Sequence, residues 1–356
     1  MKWLDKDYIE GILIEGENPS DEQIEEILRK AYKREKISHL ETARLLNATN
    51  PAHISRIYEI AGKIKDEIYG KRVFTFAPIY VSNHCVNNCK YCGYKRDNKF
   101  ARKKLTIDQV KQEALALERL GHKRLAFESG EDPVNLPIDY YIDCLKAIYE
   151  SSDIRRINVN IAATTVEDYK KLLDVGIGTY ILFQETYHQP TFEIMHPKSL
   201  KGNYDYHLSA FNRAQESGID DVGGGVLFGL YDYRFEVLGL LIHNEHLENE
   251  YEVGFHTISV PRLKKAEGMD LDEFPHMVDD EQFKHIVSII RLIVPFTGII
   301  LSTRETREMR EELLNQGISQ ISAGSNTEVG GYKEDEIAEE QGLAKEVPQF
   351  ELSYER

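Results

Sequence analysis

The chain has 356 residues, room for one large domain or two of ordinary size, and its 41% hydrophobic and 29% charged residues describe a folded protein rather than a disordered one. Its 44 Lys and Arg against 60 Asp and Glu leave a net charge of −16, which repels a nucleic-acid backbone. The N-terminal MKWLDKDYIEGILIEG interrupts its apolar residues with acids, and no run approaches the ~18 apolar residues of a membrane span. The expectation is a cytoplasmic protein with neither nucleic acid nor membrane as a partner.

Residues 1–70 read as a helical layer. Ile24, Ile27, Leu28 and Tyr32 recur at spacings of three and four behind the start signal Asn18-Pro19-Ser20. A second helix is expected from Ser38 or Glu41, and a third after Asn50-Pro51, through ISRIYEIAGKIKDEIYG to Gly70.

From residue 71 the pattern changes to short β-branched or aromatic runs separated by amphipathic segments. The runs are FTFAPIYVS (74–82), RLAFES (124–129), RINVNI (156–161), TYILFQ (179–184), GGGVLF (223–228), HTISV (256–260), GIILS (298–302) and QISAG (320–324). Helices are expected to begin near Thr106, Pro137, Thr165, Tyr204, Phe235, Asp279 and Glu305. Eight strand–helix alternations predict an α/β fold, a (β/α)8 TIM barrel over 71–332. A doubly wound open sheet is the alternative, since closure of the eighth strand on the first leaves no mark in sequence. The segment 333–356 is acidic and lacks apolar periodicity, so a solvated tail is expected there.

Three of the four cysteines fall within eight positions, as Cys85, Cys89 and Cys92 in HCVNNCKYCGY, directly after the first predicted strand. In a barrel that is the rim where active sites lie. Three thiolates on one loop can hold three corners of an iron–sulfur cubane and leave the fourth iron open to a small molecule. Structural zinc is the competing reading, although His84 adjoins Cys85 too closely to complete a tetrahedron easily. Cys144 lies on an amphipathic helix and reads as a packing residue.

CxxxCxxC with an aromatic, Tyr91, before the last cysteine resembles the signature of the radical S-adenosylmethionine (SAM) superfamily. The resemblance implies a [4Fe-4S] cluster on Cys85, Cys89 and Cys92 as the metal-binding and catalytic centre. It also implies chelation of SAM at the open iron, reductive cleavage of SAM to methionine and a 5′-deoxyadenosyl radical, and an external reductant of ferredoxin or flavodoxin type. Ser129, Gly130 and Glu131 in FESGEDP stand where the superfamily has its edge for the SAM amino group. Gly225 and Gly229 in GVLFGLYD resemble the segment beside adenine. Gln184 and Glu185 are polar candidates for SAM or substrate, and Asn160, on one face with Asn158, is a further candidate for the cofactor.

Longer stretches, among them FAPIYVSNHCVNNCKYCGYKRDNKF, INVNIAATTVEDY, DDVGGGVLFGLYDYRFEVLGLL and ILSTRE, are similar to the tyrosine lyases of [FeFe]-hydrogenase cofactor maturation. They are more distantly similar to 2-iminoacetate synthase. This implies hydrogen abstraction from the amino group of L-tyrosine and Cα–Cβ cleavage to p-cresol and dehydroglycine, with maturation partner proteins. A guanidinium recognises a carboxylate with two parallel hydrogen bonds, so Arg304 is the first candidate for the substrate carboxylate. Tyr80, Gln184 and Ser322 are candidates for the rest of the amino acid head. His256 resembles a histidine near an extra iron of a second cluster, and Arg262 flanks the same strand.

The maturases continue into a segment with a second CxxC-based cluster, and here no cysteine follows Cys144. Asn326 stands where a cysteine is expected. Tyrosine cleavage by the barrel is therefore the implied activity, in a truncated maturase or a relative lacking that cluster. The alternatives are a radical SAM lyase or synthase on another small substrate and, in a different class, a non-catalytic metal-binding assembly protein.

Overall fold

A computed structural model describes residues 3–266 and 269–341 of the chain. Four helices precede the first strand: α1 (Lys6–Glu15), α2 (Asp21–Tyr32), α3 (His39–Leu46) and α4 (Pro51–Tyr69). Ser20 and Ser38 open α2 and α3 with reciprocal capping boxes to Gln23 and Glu41, and Asn50 caps α4 with Pro51 in its first turn. Ile24, Ile27, Leu28 and Ala31 of α2 and Ile57, Ile60, Ala61 and Ile64 of α4 are buried on the inner face of this layer.

Eight parallel strands follow among the described residues: β1 (Phe74–Ser82), β2 (Arg124–Ser129), β3 (Arg156–Asn160), β4 (Tyr180–Ile181), β5 (Val222–Gly225), β6 (Thr257–Ser259), β7 (Gly298–Leu301) and β8 (Gln320–Ser322). They pair in sequence order, and β8 closes on β1 with Phe74 opposite Gln320 and Phe76 opposite Ser322. Closure leaves no sheet edge and rules out the open-sheet alternative. Between the strands run α5 (Ile107–Arg119), α6 (Ile138–Ser151), α7 (Val166–Asp174), α8 (Gln189–Met195), α9 (Tyr204–Leu208), α10 (Ala210–Glu216), α11 (Tyr233–Tyr251), α12 (Asp280–Ile293) and α13 (Arg307–Gln316). The N-terminal layer lies outside the barrel, α4 on α12 and α13, α1 and α3 on α11.

Strand alternation sorts the side chains into two shells. Ala77, Ile79 and Val81 of β1 are fully buried against the helices, whereas Phe76, Pro78 and Tyr80 line the lumen. The register puts Tyr80 opposite Glu128 of β2, and Glu128 opposite Asn160 of β3. One level of the lumen is therefore polar. The glycines of β5 keep that lumen passable: a Cβ on Gly225 would meet the Phe183 ring at 2.5 Å, and one on Gly223 would meet the Thr257 hydroxyl at 2.5 Å.

The segment read from sequence as an acidic tail begins instead as a helix, α14 (Gly331–Gln341). Its missing local cap comes from α5, where the buried Glu113 carboxylate accepts the N–H groups of Tyr332 at 3.1 Å and Lys333 at 2.8 Å. Burial pushes Glu113 up to about 7, against those two hydrogen bonds. Residues 342–356 of the expected tail lie outside the described residues. Among the described residues no helix is long and apolar enough to cross a membrane.

Candidate active site

The β1–α5 loop carries the three cysteines at the C-terminal mouth of the barrel, where they line one cavity of about 570 Å³. Local hydrogen bonds fold the loop around them. The Cys92 N–H donates to the Cys89 carbonyl, the Val86 N–H to the Glu131 carbonyl, and the Arg96 N–H to the Asn87 carbonyl. Gly130 packs so closely on the loop that a Cβ there would strike the His84 carbonyl and the Cys85 side chain. Burial pushes the Cys89 thiol up, and the Cys92 thiol up to about 11. Free thiols so buried stay protonated, and iron bound to their sulfurs would release those protons to solvent. Among the described residues no three Cys, His, Asp or Glu side chains are gathered for a single metal ion. A cubane, with a separate iron at each thiolate, does not require such gathering. The residues thus fit a cluster.

A buried ion pair stands beside the thiols. Lys201 Nζ lies 2.5 Å from Glu185 Oε1, both side chains are well enclosed, and Lys201 faces Cys89 and Cys92 as well. Burial opposes the Lys201 charge, but the Glu185 carboxylate outweighs it and its pKa rises. Glu185 sits in the left-handed region at φ 68°, a backbone state uncommon for a residue with a side chain. Glu236 of α11 holds the next two residues: its carboxylate accepts from the Thr186 hydroxyl and from the Tyr187 N–H at 2.7 Å. On the opposite side Glu131 accepts from Asn87 Nδ2 at 2.5 Å, and burial raises its pKa despite that bond. Tyr91 donates to His196 Nε2 at 2.7 Å, while His196 Nδ1 meets the Phe192 carbonyl at 2.6 Å. Burial and then Lys201 lower His196 to about 3, so its ring is neutral with the proton on Nδ1.

Deeper in the barrel a second cavity of about 240 Å³ adjoins the first. Phe76, Pro78, Phe183, Leu227, Leu263 and Ile300 give it apolar walls, and Ser259, Ser322 and Thr327 add hydroxyls. The two cavities share polar wall residues, among them Tyr80, Cys92, Glu128, Asn160, Glu185 and Arg304, together with the rings of Tyr91 and Phe183. Glu128 accepts from Asn160 Nδ2 at 2.8 Å. Burial pushes it up to about 8, with Asn160 and the Arg304 guanidinium pulling the other way. The Ser322 hydroxyl accepts from the Thr303 N–H at 3.1 Å, tying the ends of β7 and β8 together beside Arg304.

Of the residues singled out from sequence, Cys85, Cys89, Cys92, Tyr80, Tyr91, Ser129, Gly130, Glu131, Asn160, Glu185, Arg304 and Ser322 line these cavities. Gly225 and Gly229 act through the backbone, Gly225 beside Phe183 and Gly229 at φ 116° against Leu263. Gln184 does not reach either cavity. It follows the lumen-facing Phe183, alternation turns it outward, and its amide approaches the Thr186 carbonyl at 3.4 Å. His256 precedes β6 and is exposed at the N-terminal end of the strands, away from the cysteines. Arg262 is buried outside the lumen, in a bidentate pair with Glu305 and over the Phe283 ring. Sequence reasoning missed Glu128, Lys201, Asn87 and His196. Glu128 lies in the predicted strand RLAFES directly before Ser129, but the register that sets it beside Asn160 appears only in the fold.

Comparison with known proteins gives the site its family. Residues 79–239 match the Radical SAM superfamily model and residues 259–353 the Biotin and Thiamin Synthesis associated domain. A crystal structure of HydG, a maturase of the [FeFe]-hydrogenase, superposes with a TM-score of 0.95 at 52% identity, over 100% of this chain and 77% of that one. HydG from Carboxydothermus hydrogenoformans gives a TM-score of 0.86 at 38% identity, over 95% and 82%. The 2-iminoacetate synthase of Escherichia coli K12 is 28% identical over 86% of this chain and 80% of its own. Enzymes of this superfamily use a [4Fe-4S] cluster, SAM, small-molecule substrates and an external reductant. The three-cysteine loop over a two-part barrel cavity, with these matches along the whole chain, places the protein in the radical SAM superfamily as a lyase related to the HydG maturases and 2-iminoacetate synthases.

Proposed function

We propose that the protein cleaves the Cα–Cβ bond of L-tyrosine to p-cresol and dehydroglycine, in hydrogenase cofactor maturation. The observation that carries this reading is the shared wall of the two cavities. It sets a guanidinium, Arg304, and a carboxylate, Glu128, at the point where a cofactor in the outer cavity meets a substrate in the inner one. That pair is complementary to an α-amino acid zwitterion. The apolar inner walls suit an aromatic side chain, and the hydroxyls of Ser259 and Thr327 suit a phenol. The 52% identity to a HydG, against 28% to a 2-iminoacetate synthase, favours the hydrogenase pathway over thiazole synthesis.

In this reading Cys85, Cys89 and Cys92 hold the cluster, and Ser129, Gly130 and Glu131 receive the amino end of SAM. Lys201, paired with Glu185, faces its carboxylate; Asn160 lies alongside, and Gly225 and Gly229 shape the wall beside adenine. When bound, cluster and SAM together supply the radical that abstracts hydrogen. The chain's own work is to orient the amino acid: Arg304 takes its carboxylate, Glu128 accepts hydrogen bonds from its ammonium, and Tyr80 and Ser322 flank the head. The apolar walls of Phe183, Leu227 and Ile300 disfavour water beside the reacting carbons. Residues 1–70 serve as a helical buttress, 71–332 as the catalytic barrel and 333–356 as its acidic appendage. The setting is the cytoplasm, with maturation proteins as partners.

The test is anaerobic reconstitution with iron and sulfide, then dithionite, SAM and single amino acids, with chromatography for p-cresol and 5′-deoxyadenosine. Both products with L-tyrosine, and no comparable stimulation by L-tryptophan or L-phenylalanine, are expected. Deoxyadenosine at the same rate with and without tyrosine, and no p-cresol, refutes the substrate assignment.

A further inference from the structure

The chain carries a net charge of −16, yet residues 90–104, KYCGYKRDNKFARKK, hold seven Lys or Arg and a single acid, Asp97. Such a concentration of positive charge in an acidic protein creates a local field of opposite sign to the whole. It does not lie at random on the surface. The segment begins inside the cysteine loop, between Cys89 and Cys92, and remains bonded to it: the Lys95 N–H donates to the Cys92 carbonyl at 3.1 Å and the Arg96 N–H to the Asn87 carbonyl at 2.7 Å.

Arg102 is used internally. Its guanidinium donates to the carbonyls of Asn83, Tyr94 and Lys95 at 2.6, 2.9 and 2.7 Å, and so holds the segment in a fixed shape. Arg96, Lys99 and Lys104 are exposed. Lys90 and Lys103 reach the surface in ion pairs with Glu273 at 3.2 Å and Glu334 at 2.5 Å, and Arg96 has Asp97 beside it at 3.5 Å. These three carboxylates reduce the positive field without cancelling it. The segment that continues the cysteine loop thus carries exposed positive charge on a backbone held in place by Arg102.

We propose that this face, centred on Arg96, Lys99 and Lys104, is the docking surface for a small acidic protein that carries one electron at a time. The electron passes from the reduced carrier to the oxidised cluster, so the carrier loses one electron and the cluster gains it, with no bond made or broken. The net charge of −16 repels an acidic carrier at long range, and the seven Lys and Arg of this segment attract it locally, so charge steers it toward the segment that continues the cysteine loop.

The experiment compares the reconstituted wild type with Arg96→Glu/Lys99→Glu/Lys104→Glu and with a control of equal charge change, Lys71→Glu/Lys146→Glu/Lys170→Glu, whose lysines are exposed elsewhere. Flavodoxin hydroquinone is the donor, and cluster bleaching is followed by stopped flow at several ionic strengths. A second readout is the affinity of oxidised flavodoxin for the unreconstituted protein. The first variant is expected to be reduced at least about tenfold more slowly by flavodoxin, with a flattened salt dependence and weakened binding. Reduction by dithionite and the dithionite-driven yield of 5′-deoxyadenosine stay at wild-type levels. Wild-type flavodoxin kinetics in the first variant, or equal slowing in the control, overturns the proposal. Loss of the dithionite-driven yield in the wild type bears on the enzymatic reading instead.

Discussion

Replacing Glu128 by Gln removes one negative charge from the wall shared by the two cavities while keeping the side-chain volume and an oxygen for the Asn160 amide. If Glu128 accepts the substrate ammonium, the substitution exchanges a charge-assisted hydrogen bond for a donor facing a donor. Hydrogen bonds to charged groups are worth about 1.5–3 kcal/mol, which converts to roughly a 10- to 150-fold loss of affinity. The assay is calorimetric titration of the protein with L-tyrosine and with 3-(4-hydroxyphenyl)propionate, which lacks the amino group. Above pH 8, where Glu128 is ionised, tyrosine should lose that factor and the deaminated analogue should lose nothing. The charge also gives a pH signature. Burial pushes Glu128 up to about 8, so in the wild type tyrosine binding tightens as pH rises through that value, while in Glu128→Gln the slope disappears. The stability effect has the opposite sign. A carboxylate whose pKa is raised by folding contributes stability below its ordinary value of 4.5 that is lost as pH rises toward about 8, so thermal unfolding should favour Glu128→Gln over wild type at the alkaline end. Equal losses for both ligands, or an unchanged pH slope in the variant, would refute the role.

Other consequences concern the rest of the site. Cys89→Ala should fall far below the iron and sulfide content of the wild type after reconstitution, while Cys144→Ala, packed on α6, should load normally; metal analysis decides. Lys201→Met leaves Glu185 as an uncompensated buried carboxylate and should destabilise the fold by about 3–5 kcal/mol in denaturant titrations. Adding Glu185→Gln should recover much of that stability without recovering SAM binding. Gly225→Ala drives a Cβ into the Phe183 ring and should be about 1–3 kcal/mol less stable, with tyrosine binding weakened because Phe183 lines the inner cavity. Wild-type stability in that variant would show that β5 does not set the cavity wall.

The barrel was legible because each of its strands carries a compact apolar or aromatic run between helical stretches, and all eight runs coincide with an observed strand. The weaker matches have local causes. TYILFQ yields only Tyr180–Ile181 as regular strand, since the chain then bends so that Glu185 takes a left-handed backbone. The helix expected from Tyr204 is broken into α9 and α10 at Ser209. The helix α14 could not be read from GYKEDEIAEEQ, because its cap is a carboxylate from α5, more than 200 residues earlier. The cysteine loop was legible as a linear motif, whereas Lys201 in KSLKGN looks like any surface lysine until the chain folds it against Glu185. Arg304 lines the lumen and Gln184 does not, and both lie just past the ends of their strands, where the path of the chain decides which side chains turn inward and sequence does not display that path.

The most direct test of tyrosine cleavage initiated at the amino group is the origin of the hydrogen atom that ends in 5′-deoxyadenosine. The reaction is run in D2O with ordinary L-tyrosine, whose N–H hydrogens exchange, and in H2O with tyrosine deuterated at its carbons, and the nucleoside is analysed by mass spectrometry. One deuterium from D2O and none from the carbon-deuterated substrate is the expected result, given a zwitterion held by Arg304 and Glu128 where the two cavities meet. Deuterium arriving only from the carbon-labelled tyrosine would contradict that placement and with it the proposed reaction.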